Sequence, residues 1–218
     1  MNNAHQTRVA TSGTAHQAVT GPAVWRREDL EDTSRWTYRL TGEMVAEIDS
    51  NLARLNGDCR PLAMIDVDDS PHPSMSEVVR QMSDDLGRGI GFTLLSGLPI
   101  ERYSRDQAML ISYGIGLHLG VGVSQSHLGD YIGDVINRSD ANDLRPYHNG
   151  GEFIMHRDPV DMVGLMSIRQ GKSGGESRVI SVATAHNETL AEAPKMLAPL
   201  HEGFSCFRLI QDRAETEE

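Results

Sequence analysis

A change of hydrophobic period part-way along the chain constrains its fold more than any other feature. Through the first half, apolar side chains recur at helical spacing. Beyond about residue 122 they gather into short runs cut by Gly, Pro, Asn and Asp. Across residues 42–55 they fall at Met44, Val45, Ile48, Leu52 and Leu55, with acids and an arginine on the other face, and Gly57 ends the pattern. Val78, Val79, Met82 and Leu86 make a second stripe over 76–86. The stretch GIGFTLLSGLP, bounded by glycines and closed by Pro99, predicts a strand. A third helix is predicted to start at a Ser104 cap with Asp106 in its first turn and to run to about Leu119. After it come DYIGDVIN (130–137), EFIMH (152–156), MVGLMSIRQ (162–170) and SRVISVA (177–183), all strand-like, then a short helix over about 184–192 before Pro194. Helices first and strands second is an α+β pattern, with a β-rich core still being built at the last residue.

Charge and cysteine usage narrow the function. A formal charge of −11 argues against nucleic acid, where phosphate contacts need clustered Lys and Arg, and against docking on anionic lipid. No apolar stretch approaches the ~18 residues of a membrane span. Cys59 and Cys206 lie far apart with no CxxC spacing, which fits two reduced thiols in a cytoplasmic protein. The first residues contain one arginine, Arg8, and no apolar segment, so they do not form a secretory signal. Rich in Ser, Thr, Ala and Gly, residues 1–22 are expected to be a disordered tail ahead of a domain over 23–218.

The chemistry concentrates in MHRDPVDMVG. On an extended chain, His156 and Asp158 project to the same face, because side chains alternate with period two. An imidazole beside a carboxylate suits Fe(II), Mn(II) or Zn(II), and a second histidine would complete a facial triad with open positions. Taken alone, such a pair is more often a surface His and Asp beside a turn. The HRD tripeptide is not a kinase catalytic loop: Val163 stands where that loop needs a Mg²⁺-binding Asn, and neither a DFG nor a phosphate loop is present. GIGLHLGVG (114–122) follows a helix instead of a strand and lacks GxGxxG spacing. GKSGGESRVIS (171–181) reads as a Gly-Gly turn re-entering an extended run at Ser177.

Taken together, FIMHRDPVDMVGLMSIRQGKSGGESRVISVATAHNETLAEAPKMLAPLHEGF, with GIGFTLLSGLPIERYSRDQ, GIGLHLGVGVSQSHLGDYIGDV and RPYHNG in order upstream, resembles the TauD/TfdA family of 2-oxoglutarate-dependent oxygenases from about residue 25 onward. The resemblance implies a double-stranded β-helix, or jelly roll, with flanking helices. It implies that His156 and Asp158 are two ligands of Fe(II), and that Ser177 touches a carboxylate of 2-oxoglutarate. It further implies that O₂-driven decarboxylation of 2-oxoglutarate to succinate and CO₂ is coupled to hydroxylation of a bound small molecule. Gln125, Arg145 and Tyr147 are candidates for the substrate side. Asp161 is a candidate for orienting a ligand histidine or for capping the turn after Pro159.

The chain departs from the family in one respect. The third ligand, a distant histidine, and the arginine that pairs with the distal carboxylate of 2-oxoglutarate have no counterpart. Beyond Asp158 the only histidines are His186 and His201, both too early for the last barrel strands, and Arg208 and Arg213 are equally ill placed. The expectation is an N-terminal portion of an oxygenase, its jelly roll incomplete, with little activity alone. A catalytically dead binding protein on the same scaffold, and a Zn- or Mn-dependent hydrolase or isomerase, are the alternatives. No feature sets an oligomeric state.

Overall fold

Met44, Val45, Ile48, Leu52 and Leu55 do form one face of a helix, and the rest of the larger unit is arranged around that face. The structure, a computed structural model, describes residues 17–55, 57, 60–125, 129–136 and 154–204. It divides into two compact units, residues 27–179 and residues 1–26 with 180–218. In the larger unit the elements run β1 (Thr37–Arg39), α1 (Gly42–Leu55), α2 (Ser76–Gly87), β2 (Leu94–Ser96) and α3 (Arg105–Leu117). The smaller unit holds α4 (Val182–Glu192) and α5 (Leu197–Glu202).

β1 and β2 pair in parallel, Thr37 opposite Leu94, Tyr38 opposite Leu95 and Arg39 opposite Ser96. Parallel strands require a long crossover, and here it carries α1 and α2. Ile48 and Leu52 of α1 meet Met75, Val79 of α2, and Ile111 and Ile115 of α3 in one buried cluster. Gly57, at φ +107°, takes the left-handed conformation that ends α1. Ser104 caps α3 as expected: its hydroxyl accepts the Gln107 N–H at 3.2 Å, and the Gln107 side chain accepts the Ser104 N–H at 2.8 Å.

The connection between α1 and α2 is short 3₁₀ turns, and it carries a buried histidine. The Asn51 amide donates to His72 Nδ1 at 3.2 Å, and His72 Nε2 meets the Ser70 hydroxyl at 3.3 Å. This pairing describes a neutral ring protonated on Nε2. The His118 ring sits edge-on at 5.1 Å, its Nε2 donating to the Ser70 carbonyl at 2.7 Å. Burial, then the neighbouring His118, pulls the His72 pKa from 6.5 down to about 4; Glu47 opposes the shift and Arg54 adds to it.

Gly114 is the residue that lets α3 approach this network. A Cβ there would stand 2.6 Å from Ser70 Oγ and 3.2 Å from Ser70 Cβ. Alanine gains about 1 kcal/mol of helix propensity over glycine. Overpacking a filled site costs about 1–3 kcal/mol, and Ser70 cannot swing away without giving up His72. Gly114→Ala is therefore expected to lower stability by about 1 kcal/mol in urea unfolding. A raised midpoint would mean that Ser70 yields freely.

The second half corrects the sequence reading. Among the described residues, 130–136, 154–156, 162–170 and 177–181 form no strand, and Val182 and Ala183 already belong to α4. Apolar alternation fits a pleated surface, but a strand exists only where a neighbour supplies the ladder bonds. Here Ile154 is 80% exposed and Leu165 75%. β1 was not anticipated, because three residues are too few to show a period. The observed architecture is thus mixed helix and strand, with one two-stranded sheet among the described residues. Residues 1–16 of the expected tail lie outside the described residues, whereas residues 17–22 belong to a segment hydrogen-bonded to α4.

Candidate functional site

Residues 154–158 run without helix or ladder, and local contacts alone orient the two side chains of interest. His156 Nδ1 lies 2.8 Å from the Ile154 carbonyl. A carbonyl only accepts, so Nδ1 carries a proton. On the other side of the ring, Nε2 and Asp158 Oδ1 are 3.8 Å apart. Both side chains stay open to solvent, at 42% and 49% exposure, so a ligand can reach them. A metal-ligating histidine usually donates its other ring N–H to a backbone carbonyl, a carboxylate or water, and here Nδ1 meets the Ile154 carbonyl. The donor set therefore fits one divalent ion held from one face.

The other expected residues are less tightly drawn in. Ser177 is exposed and follows Gly174 and Gly175, whose φ values of +74° and +80° match the two left-handed positions of a tight turn. Gln125 is exposed, its amide donating to the Val123 carbonyl at 3.1 Å. Asp161 is exposed; the group on His156 Nδ1 is the Ile154 carbonyl. Arg145 and Tyr147 lie outside the described residues, as do Arg208, Arg213 and both cysteines. In the smaller unit, His186 Nε2 meets the Gln17 carbonyl at 3.0 Å, and its ring stands edge-on to His201 at 5.7 Å. Among the described residues no three His, Cys, Asp or Glu side chains converge on one point. The element that sequence reasoning missed is the Ile154 carbonyl, because a backbone acceptor leaves no mark in the residue code.

A solvent-facing histidine–carboxylate pair offers two donors of the kind that bind divalent metals. A family model described as taurine catabolism dioxygenase TauD, TfdA family, matches residues 60–218, and the chain belongs to this family. It is also similar to the FR-33289 synthase of Streptomyces rubellomurinus (strain ATCC 31215), with 32% identity over 189 residues. That match covers 85% of this chain and 56% of the relative, so the chain spans little more than half of the relative's length. Members of the family are generally Fe(II)-, 2-oxoglutarate- and O₂-dependent oxygenases acting on small molecules. Among the described residues, no helix is long and apolar enough to cross a membrane.

Proposed function

We propose that this chain supplies two iron ligands, His156 and Asp158, to an Fe(II)/2-oxoglutarate-dependent oxygenase that hydroxylates a small metabolite. The observation that carries the reading is His156 Nε2 at 3.8 Å from Asp158 Oδ1, with Nδ1 on the Ile154 carbonyl, in a chain of this family. A relative named as a synthase supports a small-molecule substrate. Residues 23–218 would form part of a jelly-roll domain of that family.

Within that reading each side chain has a task. His156 and Asp158 would hold the metal. Iron supplies the O₂ chemistry when bound. The Ser177 hydroxyl donates to a carboxylate of 2-oxoglutarate. Gln125, Arg145 and Tyr147 face the substrate, the guanidinium of Arg145 being suited to an anionic group. Asp161 steadies the turn behind the pair.

Anaerobic addition of Fe(II) and 2-oxoglutarate to the full chain tests this. The expected result is a visible absorption band that needs both additions. Metal binding indifferent to 2-oxoglutarate would favour a hydrolase or isomerase. A cooperatively folded chain that binds neither would be a scaffold without catalysis. With two ligands from this chain, turnover is expected to be slight, and substrate-coupled succinate formation at ordinary enzymatic rates would contradict that.

A further inference from the structure

α4 is a helix without a core. None of its residues is buried, and in the smaller unit's described residues the one buried apolar side chain is Leu197 of α5. An isolated helix of 11 residues is marginal in water. Half-buried packing against α5 leaves much of its stability to polar contacts.

Besides α5 and the turn before it, the chain's own segment 17–26 lies against it, and α4 grips that segment by its main chain. Asn187 makes a two-way contact with Val19: its Oδ1 accepts the Val19 N–H and its Nδ2 donates to the Val19 carbonyl, both at 2.8 Å. Thr184 repeats the arrangement on Trp25, its hydroxyl accepting the N–H at 3.0 Å and donating to the carbonyl at 2.8 Å. Ser181, the cap of α4, donates to the Ala23 carbonyl at 2.5 Å while accepting the Thr184 N–H at 2.9 Å. His186 Nε2 meets the Gln17 carbonyl. An ion pair between Arg26 and Glu188 joins the far end.

We propose that residues 17–26 are a strap read through their backbone, and that α4 stays helical because the strap is on it. Each amide or hydroxyl of α4 substitutes for a neighbouring strand, satisfying main-chain groups with little regard for the strap's side chains. The same bonds tie down the cap at Ser181, so loss of the strap frays α4 from its first turn.

Hydrogen exchange on the full chain separates backbone reading from ordinary packing. Val19→Pro removes the N–H that Asn187 accepts, and Asn187→Ala removes both contacts. With each bond contributing about 1 kcal/mol net, Val19→Pro should cut amide protection across α4 about fivefold and Asn187→Ala about thirtyfold. Protection in α1, in the other unit, should not change. Val19→Ala keeps the main chain and should leave α4 within about twofold of the parent. Undiminished protection in Val19→Pro and Asn187→Ala overturns the proposal. So does an equal loss in Val19→Ala, which would mean that side-chain packing holds the strap, and so does a parallel loss in α1.

Discussion

Asp158→Ala is expected to abolish the 2-oxoglutarate-dependent absorption band and to weaken Fe(II) binding by at least about 100-fold. Changing a group that merely orients a metal ligand already costs about 10–100-fold. Removing a ligand outright, from a chain that contributes two, leaves one imidazole. His156→Ala should do the same from the other side. Asp158→Asn keeps the shape and removes the charge, so a loss there would assign the effect to the carboxylate. Ile154→Ala should bind normally, because the group on His156 Nδ1 is the carbonyl and not the Ile154 side chain. None of these changes touches the buried cluster around Ile48 and Met75, so far-UV circular dichroism should not move. Parent-like iron affinity and an intact band in Asp158→Ala would sink the assignment of the metal to this pair.

What the sequence disclosed, and what it hid, divides by the range of the interactions. The stripes of α1 and α2, the stop at Gly57 and the Ser104 cap were all legible, because each is decided within one or two helical turns. The adjacency of His156 and Asp158 was legible for the same reason, since period two alone places them together. The runs from 130 to 181 misled because a strand needs a partner that its own residues cannot specify. MVGLMSIRQ and SRVISVA have the composition of strands, and no described neighbour offers a ladder. His72 was hidden differently. Nothing in DDSPHPS marks it as buried, and only the packing of α1 and α3 over that turn buries it. The strap was least visible: a segment rich in small polar residues looks disordered until Asn187 and Thr184, some 160 positions away, bind its backbone.

Buried His72 should make the larger unit acid-labile well above the range where carboxylates titrate. Charged groups surround it on each side: Glu47 and Arg54 from α1, and His118 from the end of α3. The Glu47 carboxylate, 3.8 Å from Nδ1, would welcome a proton on the ring, but it is already engaged by the Ser74 N–H and hydroxyl. Burial dominates, and the folded ring resists protonation down to about pH 4, against 6.5 for a free histidine. The unfolded chain therefore takes up a proton near pH 6.5 that the folded chain refuses. Stability from this source is complete above pH 6.5 and drains away as the pH falls towards 4, by about 3 kcal/mol in all. Urea unfolding of the parent between pH 7 and 4.5 should show that decline. His72→Gln will be weaker at neutral pH, because it disturbs the bonds to Asn51 and Ser70, so its slope is the quantity to compare. That slope should be flatter by most of the same amount. His118→Gln should steepen nothing and relieve only part of the fall, since the His118 charge is the smaller cause. Parallel slopes for parent and His72→Gln would mean that His72 accepts its proton in the folded state, through an opening of the turn that carries it.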